Sequence, residues 1–267
     1  GKIKLGYSGE VDLMKANQNP NLKINIKKLL KRFDMSENRI KKIIVVAFHA
    51  FSDAPHGDGV DMIFTDYYAH AKETLNFLKT NYNKNTLYLI KPHPTRFLYN
   101  EHGLFENLFE KIINEEKNIK ICPVDISTYS LIKLCDAVVT LKGTIAIEFA
   151  SNGKHALTCS TTPYAKLNII NEAKTKKEYF KKIKQLSFVT KKLDYKKVIK
   201  AQKVLYLMEK NHPENYLGKS RIFDEEFLKS TRRAESIDMY FNKKFINKIK
   251  KGGFLTDKYI NNLEKII

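Results

Sequence analysis

The feature that most restricts the fold is an alternation of short apolar runs with helical patterns between residues 41 and 159. The first run, Ile43-Ile44-Val45-Val46-Ala47-Phe48, is continuous and rich in β-branched residues, as strands buried on both faces are. Further strand-like runs fall at 86–90, 118–122, 136–141 and 155–159. Between them the apolar residues recur at helical spacing. Over 61–81 they are Met62, Phe64, Tyr68, Ala71, Leu75 and Leu78; over 101–116 they are Leu104, Leu108, Ile112 and Ile113. A helix over 125–135, capped by Asp125 or Ser127, and another over 145–152, ended by Gly153, complete the series. This alternation predicts an α/β fold built on a doubly wound, Rossmann-like parallel sheet.

Outside that block the pattern changes. Asn17-Gln18-Asn19-Pro20-Asn21 reads as a loop, and 24–33 as a short helix with lysines on its outer face. From Asn168 onward the strands are expected to stop, with helices over 174–185, 195–211 and 225–249 and loops at His212-Pro213 and Gly252-Gly253. The expected division is a leader, linker or remnant of an N-terminal domain at 1–40, a Rossmann-like nucleotide-binding domain at 41–165, and a helical C-terminal region at 166–267.

Charge bears on the partner. The net charge is +19, from 48 Lys and Arg against 29 Asp and Glu. Solvated lysine faces would account for it; so would a surface that meets phosphates, an acidic polysaccharide, an anionic membrane leaflet or nucleic acid. The three cysteines, Cys122, Cys135 and Cys159, lack C-x-x-C spacing and read as buried, reduced side chains, with neither zinc nor disulfides indicated. No apolar run reaches the roughly 18 residues of a membrane span, and no signal-peptide pattern is visible. The expected location is cytoplasmic, with peripheral contact at the inner face of the membrane compatible with the lysines.

Five groups could carry chemistry. His93, in Lys91-Pro92-His93-Pro94, follows a strand between two prolines that keep the backbone out of the helical region and so fix the imidazole. A fixed imidazole beside Lys91 suits a phosphate oxygen or a leaving group; a single structural hydrogen bond is the plainer reading. Gly143-Thr144 turns from a strand into a helix, where Gly143 admits a close approach and the Thr144 hydroxyl adds a donor, or else merely caps the helix. Glu148, one turn deeper, could accept from ribose hydroxyls. Cys122-Pro123-Val124-Asp125 ends another strand, where Pro123 and Asp125 border a region that could read a base edge. In the loop after the first strand, Ser52, Asp53 and His56 cluster, and Asp53 could be a general base, a sugar-hydroxyl ligand or a turn residue beside Pro55. His49, Asp53 and His56 match no standard zinc spacing, so no metal is expected.

Lys91-Pro92-His93-Pro94, followed by Thr140-x-x-Gly143-Thr144-x-x-x-Glu148 and Gly153-Lys154, resembles the capsule polysaccharide biosynthesis glycosyltransferases. These include the bacterial Kdo transferases, which use CMP-Kdo. The Ser52-Asp53-x-Pro55-His56 loop and Asp66-Tyr67-Tyr68 fit the same resemblance, which covers about residues 38–165. It implies the nucleotide-binding domain of a GT-B fold and a sugar-nucleotide-dependent transferase that needs no separate cofactor. His93 and Thr144 would lie on the CMP phosphate, Glu148 on the ribose, and residues 122–126 around cytosine. The partners implied are a CMP-sugar donor and a glycan or glycolipid acceptor. With 1–40 too short for a second Rossmann unit, the other GT-B domain is expected from a longer protein or another chain, or to be lost. GT-B enzymes commonly draw the catalytic base from that other half; within this chain the catalytic candidates are His93 and Asp53.

Two other readings stand beside this one. A teichoic-acid type phosphotransferase using CDP-glycerol, or another CDP-alcohol, would share the His-Pro strand end and the hydroxyl-bearing turn. A non-catalytic nucleotide- or polyanion-binding module would need only the basic charge, but no RNA-binding motif is present and nucleic acid is not the expected partner.

Overall fold

The computed structural model describes residues 24–53, 62–94, 96, 101, 103–113, 116–123, 125–162 and 164–210. The chain divides into two compact units, and the whole sheet belongs to the one spanning Glu10–Gln202. Its elements in order are α1 Ile26–Lys31, β1 Lys42–Ala47, α2 Tyr67–Asn81, β2 Thr86–Lys91, α3 Leu104–Ile113, β3 Ile119–Ile121 and α4 Thr128–Leu134. They continue with β4 Ala137–Thr140, α5 Ile145–Ser151, β5 His155–Thr158, a 3-10 turn Ala165–Leu167, β6 Asn171–Glu172, α6 Lys176–Leu186 and α7 Tyr195–Lys210. Expectations for residues 17–21, for His56, and for the helix at 225–249 with its flanking loops lie outside the described residues.

The six strands form one sheet in the order β3-β2-β1-β4-β5-β6, every adjacent pair parallel. The chain winds outward from β1 through β2 to β3, then returns to the other side of β1 with β4. This is the doubly wound arrangement the alternation predicts, and its switch point lies between β1 and β4. The β-branched run of β1 fits because the strand is covered on both faces. Ile44, Val46 and Phe48 join Tyr88, Ile90, Val139 and residues of α2, α3 and α6 in one apolar cluster, while Ile43 and Val45 point the other way and are equally buried.

Several boundaries differ from the sequence reading, each for a local reason. The helix expected from residue 61 begins at Tyr67, because the Asp66 carboxylate accepts the Ala69 amide at 2.6 Å and so starts the helix there. Met62, expected on its stripe, instead forms an antiparallel bridge with Ser160. Of the two caps considered for α4, Ser127 does the capping, accepting the Ser130 amide at 3.2 Å. Asp125 turns away to a two-pronged pair with Arg32 at 2.7 and 2.8 Å. The strands also do not stop at Asn168. β6 extends the sheet past residue 165, its Asn171 and Glu172 paired with Leu157 and Thr158. A two-residue edge strand of polar residues carries no apolar period for a sequence to display.

Beneath α2 a buried polar contact ties two helices together. Tyr179 of α6 shares its hydroxyl with His70 Nε2 at 2.9 Å and Thr74 Oγ1 at 3.1 Å, all three side chains being enclosed. Phe48, Phe64 and Tyr179 surround the His70 ring. The three cysteines are free and buried. Among the described residues no helix is long and apolar enough to cross a membrane.

Candidate functional site

The strands end in a row, and the ladder carries on past them. Phe48 donates to the Lys91 carbonyl at 2.9 Å, Cys122 to that of Ile90 at 2.8 Å, and Cys159 to that of Leu141 at 3.1 Å. The residues just beyond β1, β3, β4 and β5 are therefore held by the sheet, as ligand-facing loops at a switch point are.

His49 leaves β1 at the centre of this row. Its ring stacks on Tyr67 at the start of α2, 4.6 Å between centres and 15° between planes. It also lies parallel to His93, 6.3 Å away and 12° off. Its Nε2 is buried and has no hydrogen-bond partner among the described residues. Burial first, then the nearby His93, lowers its pKa to about 4, while Asp53 acts the other way. The ring is therefore neutral at physiological pH.

His93 is lowered too, by burial, with Asp53 and Glu101 opposing and Lys91 and Arg96 reinforcing. Its position is fixed from behind: Arg96 donates Nη1 to the His93 carbonyl at 3.2 Å and ion-pairs with Glu106. Glu101 in turn accepts the amide of Ser52, joining the loops after β1 and β2. Lys91 is lowered by burial, with Cys122 and Glu148 favouring its charge. Lys142, just past β4, brings its ammonium to 6.0 Å from the Tyr67 ring centre.

Gly143 closes the row. A Cβ there would meet Thr140 Oγ1 at 3.0 Å, closer than side chains normally tolerate. The buried Tyr164 hydroxyl donates to the Gly143 carbonyl at 3.2 Å, fixing that peptide. Thr144 makes no side-chain capping bond, so its hydroxyl is not spent on the helix. Burial raises the Tyr164 phenol, with Glu148 adding to the effect. Beyond β5 and β6, a cavity of about 560 Å³ is lined by Met62, Ser160, Thr161, Glu172 and Lys174 among others. Burial raises the Glu172 carboxyl at its edge.

The structure thus gathers His93, Lys91, Asp53 and Glu148 into one electrostatic neighbourhood, with Gly143 and Thr144 at the next strand end. Asp125 ends β3 in the same row but is held by Arg32, which lowers its pKa; Pro123 beside it is half-buried. Cys122 is raised to about 11 by burial and is a packing residue rather than a reactive thiol. Among the described residues no three His, Cys, Asp or Glu side chains gather as a metal site requires. In sequence His49 reads only as a metal-ligand candidate and Tyr67 only as part of the Asp66-Tyr67-Tyr68 motif, and Lys142 carries no mark of a site residue. Position was the available signal: His49 is the first polar residue after the most apolar strand.

No family profile matches the chain, and no curated protein matches it. Among solved structures, Staphylococcus aureus MnaA in a co-structure with UDP is 13% identical, with a TM-score of 0.41 over 76% of this chain and 53% of its own. A Listeria monocytogenes protein described as a UDP-N-acetylglucosamine 2-epimerase is 10% identical, with a TM-score of 0.42 over 77% of this chain and 52% of its own. The chain spans about half the length of each. At these TM-scores the likeness carries no argument, and the fold rests on the strand order alone.

Proposed function

We propose that the row of strand ends around the switch point binds the phosphate of a sugar nucleotide, and that the chain carries the nucleotide-binding half of a GT-B type enzyme. The observation that carries this reading is the His49–His93 pair: two parallel, neutral imidazoles, one with a buried nitrogen lacking a partner among the described residues, bordered by Lys91 and Lys142. Neutral imidazoles can donate to a phosphate oxygen without first losing a strong internal ion pair. As negative charge gathers on a departing phosphate their proton affinity rises, so the same groups can stabilise a leaving nucleotide.

The finer reading is transfer of a Kdo-like sugar acid from a CMP donor to a glycan or glycolipid in capsule or surface polysaccharide synthesis. His93, Lys91, Gly143 and Thr144 would hold the phosphate, Glu148 the ribose, and the backbone around Pro123 the base. Asp125, being occupied by Arg32, would shape that loop rather than touch the ligand. Asp53, near both imidazoles, would tune their protonation or serve as base. Support comes from the fit between these positions and the row of strand ends, together with the motif resemblance.

Calorimetric titration of the full chain with CMP, CDP, UDP and GDP tests the reading. Preference for CMP supports the sugar-acid transferase, whereas preference for CDP shifts it to a CDP-alcohol phosphotransferase. Binding of any polyanion with a steep salt dependence and no base preference overturns it in favour of a charge-driven module.

A further inference from the structure

The opposite edge of the sheet carries a feature the nucleotide site does not use. The loop between α6 and α7 is laid across the amino ends of three strands. Ser187 bonds the Tyr88 hydroxyl at 2.7 Å near the start of β2, and the Val189 carbonyl accepts from Lys42 at the start of β1. The Lys191 carbonyl then accepts His155 Nε2 at 2.8 Å at the start of β5, and Leu193 donates to the Gly153 carbonyl at 3.0 Å.

A loop pinned at four points nevertheless leaves Phe188 70% exposed, and Tyr195, the first residue of α7, is 75% exposed. A phenylalanine held open to water beside buried Ser187 is not a packing accident of a loose segment. Several exposed lysines lie on this edge of the sheet. Lys191, Lys192, Lys196 and Lys41 are exposed, as are Lys84 and Lys117, which lead into β2 and β3. Three carboxylates of this edge accept hydrogen bonds. Asp136 accepts the Ile43 amide at 2.9 Å, Asp194 the Lys196 amide at 2.9 Å, and Glu116 bonds Tyr82.

We propose that this edge is a docking surface for an anionic phospholipid bilayer, with Phe188 and Tyr195 entering the headgroup region and the lysines meeting lipid phosphates. Aromatic rings on a rigid support, with lysines and Arg39 on the same edge, suit a water–lipid boundary. Lysine ammoniums act as point charges and need no fixed geometry from a fluid partner. Docking here turns the carboxyl edge of the sheet, with its histidine pair, away from the bilayer and leaves it open.

The test is co-sedimentation of the full chain with vesicles of phosphatidylcholine alone or with 30% phosphatidylglycerol, for the parent, a Phe188→Ser/Tyr195→Ser variant and a Lys191→Glu/Lys192→Glu variant. Binding is expected only to the anionic vesicles, with at least tenfold weaker partitioning for either variant and unchanged circular dichroism. Equal partitioning of parent and Phe188→Ser/Tyr195→Ser chains would overturn the proposal, since the charge of the whole chain would then suffice. So would absence of vesicle binding, or tighter binding of a single-stranded RNA probe that the same variant weakens.

Discussion

His49 and His93 lie side by side because Ala47 of β1 pairs with Lys91 of β2, and each histidine follows its partner residue by two positions. Parallel strands in register carry the two rings forward together, so their 12° alignment is a consequence of sheet pairing. Neither ring depends on the other for its placement: Tyr67 backs one, and Arg96 anchors the backbone of the other.

Replacing His93 with Ala should therefore remove a phosphate contact without unfolding the chain. A hydrogen bond to a charged group contributes about 1.5–3 kcal/mol, so nucleotide affinity should fall roughly 10- to 100-fold. Calorimetry with the unfolding midpoint as control checks this. A variant that binds as tightly as the parent removes His93 from the site.

Binding should also take up protons. Both imidazoles are depressed in the free protein, and a phosphate dianion beside them favours their charged forms. Affinity should rise as pH falls from about 8 toward the ordinary imidazole value of about 6.5. Titrations in buffers of different ionisation enthalpy should report net proton uptake; release of protons contradicts the proposed contact.

Stability should fall in mild acid. Below about 6.5 the unfolded chain protonates its histidines, whereas the fold holds His49 at about 4 and His70 at about 3, chiefly by burial. The stability from keeping them neutral is complete above that value and drains away as pH drops through the window. The loss is on the order of 3 kcal/mol for each residue. Urea midpoints at pH 7 and 4.5 should differ, and less so in His70→Gln; midpoints independent of pH would count against the buried neutral pair.

The Tyr179 hydroxyl serves two enclosed partners. Tyr179→Phe leaves His70 and Thr74 without it and should cost about 2–3 kcal/mol, read as a lower denaturation midpoint. A shift below about 0.5 kcal/mol would mean that His70 and Thr74 find other partners.

Gly143→Ala sets a Cβ against Thr140 Oγ1 at 3.0 Å inside a packed turn. The expected cost is about 1–2 kcal/mol of stability, with weaker nucleotide binding as the turn shifts. Parent-like behaviour in both measurements would show that Thr140 can rotate away.

The sheet was legible because its strands are buried on both faces and so read as unbroken apolar runs, Ile43 to Phe48 above all. β6 was not, since Asn171 and Glu172 pair through their backbones alone. The start of α2 was misplaced because Met62 and Phe64 continue the apolar spacing while Asp66 sets the boundary. At the site, His93 announced itself through its flanking prolines. His49 carries no such local mark; only strand register reveals its neighbour. The bidentate pair of Arg32 and Asp125 joins residues remote in sequence, and no spacing rule reports that.

The central claim is that the paired imidazoles bind a nucleotide phosphate, and histidine ring signals measure it most directly. In a nitrogen-correlated spectrum of the full chain, added CMP should shift the ring resonances of His49 and His93 saturably, and cytidine, lacking the phosphate, should not. Unmoved His49 and His93 signals at saturating nucleotide would contradict the account.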